Sequence, residues 1–527
     1  MLKNENIAEI IYSTESKLPG SLAIVAGNES LSYSGLGAAC RRVAVKISPR
    51  LTHGRCGVLG TRSVEACVAI LGIAWAGGTY VPISLKYPEQ RLVELLDMLE
   101  LDALIVDRAG LKLLSETVRK HCPALLLVPA EATGEFDAEG GEVPETPAVV
   151  LERPVPVGAG HLAYIEFTSG TTGKPKGVMV TTRAVASYIE AMRGWYDFGP
   201  GDRAAETCDI TFDLSVHNML MTWQAGACLY IMRPLDLIAP ARFINKHKIT
   251  TWLSVPSLVA IMKQTGELKT GCLPSLRISL FCGEPLPVQV AQDWTAAAPN
   301  SIVDNIYGPT EATIACLRQP WSRSGAGEGA ITRSRGIVAI GGPYPGMKTM
   351  IVDPDLNPLP DNVPGEIALG GTQLAEGYFG QTALTDERFP MIDGERWYLT
   401  GDRGYRDFDG VFHHLGRLDN QVKVNGHRVE LEEIDMQMRT AAGTDMACAV
   451  AWPVSHGSAQ GIVGFCAGGN VTAEDVRAAL RDRLPPHMVP SRVEVLDTLP
   501  LNGNGKIDRK ALLTMLDESQ VRSELAS

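Results

Sequence analysis

Apolar residues in this chain fall in short runs cut by glycine, proline and polar turns, with segments of helical period between them. The stretch LAIVAGNESLSYSGL, beginning at Leu22, holds two β-rich runs around Gly27 and Asn28, and AACRRVAVKI after it has helical spacing. Then CGVLG, a helical segment over 63–76, TYVPI, a second helical segment over 89–99 and ALIVD follow one another. Such alternation predicts a parallel sheet covered by helices. Residues 66–83 carry no charge and are long enough to be weighed as a membrane span. They break at Gly77-Gly78 and meet Pro82, so a buried helix followed by a short strand is expected instead. Residues 130–160, rich in Glu, Gly, Pro and Ala, read as an exposed linker. Helices are expected over 182–195 and in 207–231, and a small barrel-like β unit over 338–380, where short apolar runs alternate with Pro, Gly and Asp turns. Toward the end, MACAVAWPV and GIVGFCAGG read as strands and 473–484 as a helix, the parts of a small α+β domain.

Composition narrows the class. At 527 residues the chain exceeds what one hydrophobic core sustains, so at least two domains are expected. Hydrophobic content of 45% and charged content of 20% are those of a soluble globular protein. The net charge of -12, with no basic run, argues against a nucleic-acid partner, which requires a basic face. The first residues, MLKNENIAEIIYSTESKLPG, lack an apolar core of signal-peptide length, so a cytoplasmic chain is expected, with no membrane partner. Eleven cysteines without a C-x-x-C pair fit reduced thiols better than disulfides or a zinc site.

Candidate chemistry centres on residues 164–177, YIEFTSGTTGKPKG. An apolar strand gives way to hydroxyl donors (Thr168, Ser169, Thr171, Thr172), to glycines that let backbone approach an anion (Gly170, Gly173), and to Lys174 and Lys176. It is not a Walker A loop, since Thr168 stands where the first glycine belongs and Pro175 follows the lysine. The plain alternative is a Gly/Thr-rich surface turn. Downstream, Asp213 and His217 lie four residues apart in an apolar helical segment, so both can line one face. For Asp213 the alternative is a helix N-cap, and for His217 a satisfied core histidine. NIYGPTEATI (305–314) runs from a strand into a Gly-Pro turn followed by Glu311, a hard oxygen ligand suited to Mg²⁺ or else an exposed turn residue. WYLTGDRGYRDFDG puts Asp402 in what reads as a tight glycine-flanked turn, and PLNGNGKIDRKAL puts Lys506 in a loop ahead of a helix.

Taken together these motifs resemble the adenylate-forming enzymes, which include acyl-CoA ligases, luciferases and the amino-acid adenylation domains of nonribosomal peptide synthetases. TSGTTGKPKG is the most recognisable signature, and the resemblance extends over nearly the whole chain. It implies an α/β fold: a large N-terminal domain (1–417) of two helix-covered sheets plus the β-barrel-like subdomain, and an α+β lid (418–527). It also implies ATP and Mg²⁺ as cofactors. Thr168, Ser169, Gly170, Thr171, Thr172 and Lys176 would bind the phosphates, and Asn305 and Tyr307 the adenine. Thr310 would lie at the α-phosphate, Glu311 at the metal, Asp402 at the ribose hydroxyls and Arg417 at the nucleotide. Lys506 would be the catalytic lysine, Asp419 the hinge, and the segment about Gly426 part of the channel for an incoming thiol.

The resembling peptide-synthetase domains bind the substrate α-amino group with the Asp of the FD-x-S segment, here Asp213. By the same correspondence Leu214, His217, Leu253, Leu280, Cys282, Gly283, Ile306, Ile314 and Ala315 would line the side-chain pocket, a mostly apolar surface with His217 as its one titratable group, and a polar or small side chain is the expected substrate. A histidine usual in the family is replaced near Thr182. The expected activity is formation of an aminoacyl-adenylate with release of pyrophosphate, then transfer to a phosphopantetheine thiol. Since no carrier segment follows Lys510, a separate carrier protein is the expected partner. An acyl-CoA ligase, an amide-forming ligase and an inactive binding homologue are the competing readings.

Overall fold

The protein, described here by a computed structural model, is defined over residues 6–139, 151–169, 175–321, 331–424, 426–455, 458–468, 471–501 and 507–526. It separates into two compact units. One comprises Met1–Leu85, Leu95–Phe167 and Lys176–Leu418, the other Lys86–Glu94, Thr168–Pro175 and Asp419–Ser527.

The first unit contains two mostly parallel sheets. In one, the strands Leu162–Thr168, Thr79–Ile83, Arg55–Leu59, Ala103–Val106 and Leu126–Pro129 lie side by side, all parallel. These are the short apolar runs of the sequence, and Thr79–Ile83 and Ala103–Val106 are buried at every residue, as strands covered on both faces must be. The helix Val64–Trp75 is also buried throughout. Its start is fixed by Ser63, whose hydroxyl accepts from the Ala66 amide at 3.1 Å. The uncharged stretch 66–83 is therefore core, and among the described residues no helix is long and apolar enough to cross a membrane.

In the other sheet the strands Ile302–Tyr307, Ile278–Phe281, Thr251–Ser254, Arg203–Glu206, Cys228–Ile231 and Leu22–Ala26 run parallel in that order. The register sets Leu253 beside Leu280 and Phe281 beside Asn305. It thereby gathers the carboxyl ends of three strands at one edge, the place where open α/β sheets bind ligands. Part of 338–380 joins later strands in a five-stranded antiparallel sheet made of Met347–Val352, Gly365–Gly371, Glu395–Arg406, Met391–Ile392 and Phe412–Arg417.

Two expectations are corrected. The supposed linker contains the edge strand Phe136–Glu139, and Phe136 is buried because it packs into the main core. Pro154 is buried too, and the Val155 amide donates to Trp75 O at 2.8 Å. Asp402 does not sit in a turn but inside the twelve-residue strand Glu395–Arg406, opposite Arg417. The glycines that read as a turn instead allow a left-handed residue at Gly401 (φ 72°) and an irregular register between Arg403 and Gly404.

The second unit holds a three-stranded sheet (Ala447–Ala451, Ile462–Ala467, Arg492–Leu496), a four-stranded sheet that includes Gln421–Val424 and His427–Glu430, and the helices Leu431–Ala442, Ala473–Arg481 and Arg509–Ala526. Thr472 and Asp475 form a capping box at the start of Ala473–Arg481. Buried Asp435 accepts from the Ala449 amide at 2.7 Å and pairs with Arg509, which anchors the last helix at its first residue.

All eleven cysteines are free thiols and eight are buried. Burial pushes Cys56, Cys228 and Cys448 up to about 12.

Candidate active site

One corner of the first unit is built around Asp402. Arg417 donates from Nη1 to Asp402 Oδ1 at 2.8 Å and also to Thr400 O at 2.8 Å. The Tyr307 hydroxyl donates to Asp402 Oδ2, and His414 Nε2 stands 3.4 Å from Oδ1. Burial alone would raise this carboxyl. The Arg417 charge, with His414 and Tyr307, outweighs it and holds Asp402 far below the usual carboxylate range. Asn305, next to Tyr307 on the same strand but one, is buried and donates from its amide to Ala339 O at 2.8 Å.

Beside it, the segment after Tyr307 turns through Pro309 into the short 3-10 turn Thr310–Ala312. Glu311 is fully buried and accepts from the Tyr378 hydroxyl at 2.8 Å. Tyr378 belongs to a two-residue strand paired with Lys176–Thr181, and Lys176 Nζ lies 5.8 Å from its ring centroid. One tyrosine thus joins the exit of the Gly/Thr-rich loop to the carboxylate expected at the metal. A buried carboxylate oxygen fits Mg²⁺, which keeps water and phosphate oxygens as its other ligands. Among the described residues no group of three or more His, Cys, Asp or Glu is placed to hold a metal by itself.

The third element is the pocket. Asp213 stands at the N-cap position of the helix Leu214–Gln224, yet its side chain makes no capping bond. Ser32, Ser63, Ser115, Thr181 and Thr472, at the starts of other helices, all spend their hydroxyls that way. The cap alternative for the Asp213 carboxylate is thereby removed. Leu214, Leu253, Leu280, Cys282, Ile306, Ile314 and Ala315 are buried in one continuous apolar cluster, and Gly283 (φ 83°) approaches Leu214 and Val255. His217 is buried with its Nδ1 2.7 Å from the Tyr188 hydroxyl. Burial pushes it down to about 3, so it is a neutral imidazole at physiological pH. Behind it a small cavity lies between the helix and the sheet, lined by His217, Met221, Leu253, Leu280, Phe198 and Trp252.

Some expected positions carry less detail. Gly170, Thr171, Thr172 and Lys174 lie outside the described residues, as does Lys506. Thr168 closes the strand Leu162–Thr168. On either side of the Lys506 segment, Leu501 and Ile507 form an antiparallel bridge, and the Asp508 amide donates to Pro500 O at 2.8 Å. In the second unit Asp419 accepts from the Gln421 amide, and Gly426 is left-handed (φ 84°) just before His427–Glu430. At Thr182, where the resemblance leads one to expect histidine, the hydroxyl donates to Gly158 O at 3.1 Å.

Four residues were not singled out from sequence. Tyr188 holds His217, Tyr378 holds Glu311, and His414 flanks Asp402. Glu166, on the strand that leads to the Gly/Thr-rich loop, is buried, and its Oε2 makes no hydrogen bond among the described residues. Burial, then the charges of Asp213 and Asp209, raise its carboxyl well above the ordinary range. Only Glu166 left a trace in the sequence, as an acid inside the apolar run YIEF.

Comparison with known proteins places these features. The profile of the AMP-binding enzyme family matches residues 13–379, and that of the AMP-binding enzyme C-terminal domain matches 441–506. Tyrocidine synthase 3 of Brevibacillus parabrevis is 33% identical over 520 residues, 97% of this chain but 8% of that protein, so the chain spans a small part of such relatives. The Vibrio cholerae adenylation domain AlmE, solved in complex with glycyl-adenosine-5'-phosphate, is 29% identical with a TM-score of 0.84, covering 98% of this chain and 99% of that one. The structure of IdnL7 is 32% identical with a TM-score of 0.71 and the same coverage. The chain belongs to the AMP-binding enzyme family, among relatives that are adenylation domains of the nonribosomal peptide synthetase type.

Proposed function

We propose that this chain activates an amino acid with ATP and Mg²⁺ as its aminoacyl-adenylate, releasing pyrophosphate, and then passes the aminoacyl group to the phosphopantetheine thiol of a carrier protein supplied in trans. The observation that carries the amino-acid reading is Asp213: a buried carboxylate at a helix start, not spent on the cap, beside an apolar pocket. A carboxylate in such a setting is suited to an ammonium group. AlmE, a relative matched over 99% of its own chain, was solved with a glycyl adenylate, which supports the same class of substrate.

The first step needs the carboxylate oxygen of the substrate to attack the α-phosphorus while the bond to pyrophosphate breaks. Positioning and charge stabilisation supply most of the catalysis in such transfers. Asp402 accepts the ribose hydroxyls, Tyr307 and Asn305 flank the adenine, and Arg417 reaches the nucleotide. Thr310 and the loop Thr168–Thr172, with Lys176, attend the phosphates. Glu311 would hold Mg²⁺, which offsets phosphate charge. Lys506 serves adenylation alone, and a rotation about Asp419 then exchanges it for the face around Gly426. The domains meet at 417–418 in this reading, and the protein works in the cytoplasm.

The test is ATP–pyrophosphate exchange across proteinogenic amino acids, their D forms and β-amino acids, with aryl and fatty acids as controls. Exchange driven by an amino acid is expected; exchange only with acids lacking an amine would assign the chain to acyl-CoA ligase chemistry. Separately, Lys506→Ala should lose adenylation yet retain thiolation from a supplied adenylate, and loss of both half-reactions would sink the division of labour.

A further inference from the structure

The loop between Tyr307 and Leu317 carries Glu311 at its start and the pocket residues Ile314 and Ala315 at its end. Its ends are tied by the antiparallel pairing of Tyr307 with Leu317. The close approach of its two limbs needs glycine at 308, where a Cβ would stand 2.5 Å from Ala315 Cα. Within it, Thr313 (φ 56°) and Ile314 (φ 70°) are consecutive left-handed residues, and neither is glycine. Both are β-branched, the side-chain type least suited to positive φ. Such a conformation persists only where the surroundings over-determine it.

The side chain that meets this segment is Gln373. This side chain is fully buried, and its amide nitrogen lies 3.2 Å from Ala312 O, 3.4 Å from Thr313 O and 2.8 Å from Ala315 O. Three carbonyls around one group fix the amide's orientation, because only the nitrogen end can donate. The oxygen end is left buried without a hydrogen bond among the described residues. In return Thr313 Oγ1 donates to Gln373 O at 2.7 Å. Glu311 is held by different contacts: its carbonyl accepts from the Ala375 amide at 2.9 Å, and its carboxylate from Tyr378.

We propose that Gln373 is the positioning residue of the side-chain pocket. Its amide holds Thr313 and Ile314 in the left-handed conformation and so fixes where Ile314 and Ala315 meet the substrate's side chain. It acts on the amino-acid half of the loop and leaves the nucleotide half to Ala375 and Tyr378. This rests on the reading of Ile314 and Ala315 as pocket lining given above.

Gln373→Met keeps length and apolar volume and removes the donors. In ATP–pyrophosphate exchange its KM for the preferred amino acid should rise roughly tenfold, the scale of one left-handed non-glycine residue. Discrimination against larger side chains should fall, while KM for ATP stays within about twofold. Adding Thr313→Gly, which adopts positive φ freely, should recover part of the amino-acid KM. Should Gln373→Met not fold, Gln373→Asn and Gln373→Glu give the same reading with the amide displaced or its donor lost. Unchanged constants, or amino-acid and ATP KM values rising in parallel, would overturn the inference. No exchange with any amino acid by the unmodified protein would instead overturn the proposed function, and this inference with it.

Discussion

Asp402 and Asp213 are both buried carboxylates of the first unit, and their neighbours differ in sign. Around Asp402 stand a guanidinium, a histidine and a tyrosine hydroxyl, all pointing donors at it. Around Asp213 the titratable groups that feel its charge include the carboxyl of Glu166, the hydroxyls of Tyr80, Tyr164 and Tyr188 and the thiol of Cys208. A carboxylate already matched by a cation is suited to neutral partners, such as the two hydroxyls of a diol. One set among acidic and phenolic groups favours a positive partner. In the proposed function the same residue type serves the two ends of the adenylate, and the surroundings of each suit that division.

Exchange kinetics can break that contrast. Asp213→Ala should reduce kcat/KM for an amino acid by about a hundredfold, the loss of a bond between charged groups. Asp402→Asn should raise KM for ATP and leave the amino-acid KM unchanged. If both variants raise the same KM, the two carboxylates do not divide the ligand.

Next in size is stability around Asp402. Arg417→Met strands the carboxylate without its cation and should lower unfolding free energy by about 3 kcal/mol, while Asp402→Asn added to it should restore most of the loss. Chemical denaturation of the four proteins completes this cycle. Additive losses would mean that Arg417 contributes through Thr400 and not through Asp402.

Glu166 sharpens the other side. Its folded carboxyl is raised above the ordinary 4.5. Its contribution to stability is therefore complete below that pH and is lost as pH rises toward the folded value. Glu166→Gln should flatten the decline in melting temperature between pH 5 and 8, and an unchanged slope would show that the carboxyl is solvated.

His217 gives the smallest effect and the opposite sign. Because its folded value is pushed down to about 3, its contribution is present above 6.5 and is lost as pH falls below it. His217→Gln should remove up to about 1.4 kcal/mol of that acid sensitivity for each pH unit below 6.5, read from melting temperatures.

Most of the fold was legible because its elements are locally consistent. Alternating apolar strands and helices over 55–106 fall within a residue or two of the structure, and Val64–Trp75 is buried as Gly77, Gly78 and Pro82 implied, whereas the helix Tyr33–Ile47 starts five residues before the helical spacing read from Ala38, inside a stretch read as β-rich. The edge strand Phe136–Glu139 was missed because four residues, only one of them buried, carry too little periodicity among Glu and Gly. Asp402 was misread because glycines that mark turns also mark irregular strands, and only pairing with Phe412–Arg417 separates the two. In the site, residues with their own motif were visible, whereas Tyr188, Gln373 and Tyr378 were not. Each acts through contacts with residues 29 to 67 positions away, and no local pattern encodes such contacts.

The buried thiols have a bearing on the second half of the proposed reaction. An acyl group carried as a mixed anhydride and then as a thioester is open to capture by any thiolate nearby, and it is the thiolate, not the thiol, that attacks. Cys56, Cys228 and Cys448, buried in the cores with thiols pushed up to about 12, carry almost no thiolate near neutral pH. In the proposed reaction they would offer the activated acyl group no thiolate to compete with the carrier thiol.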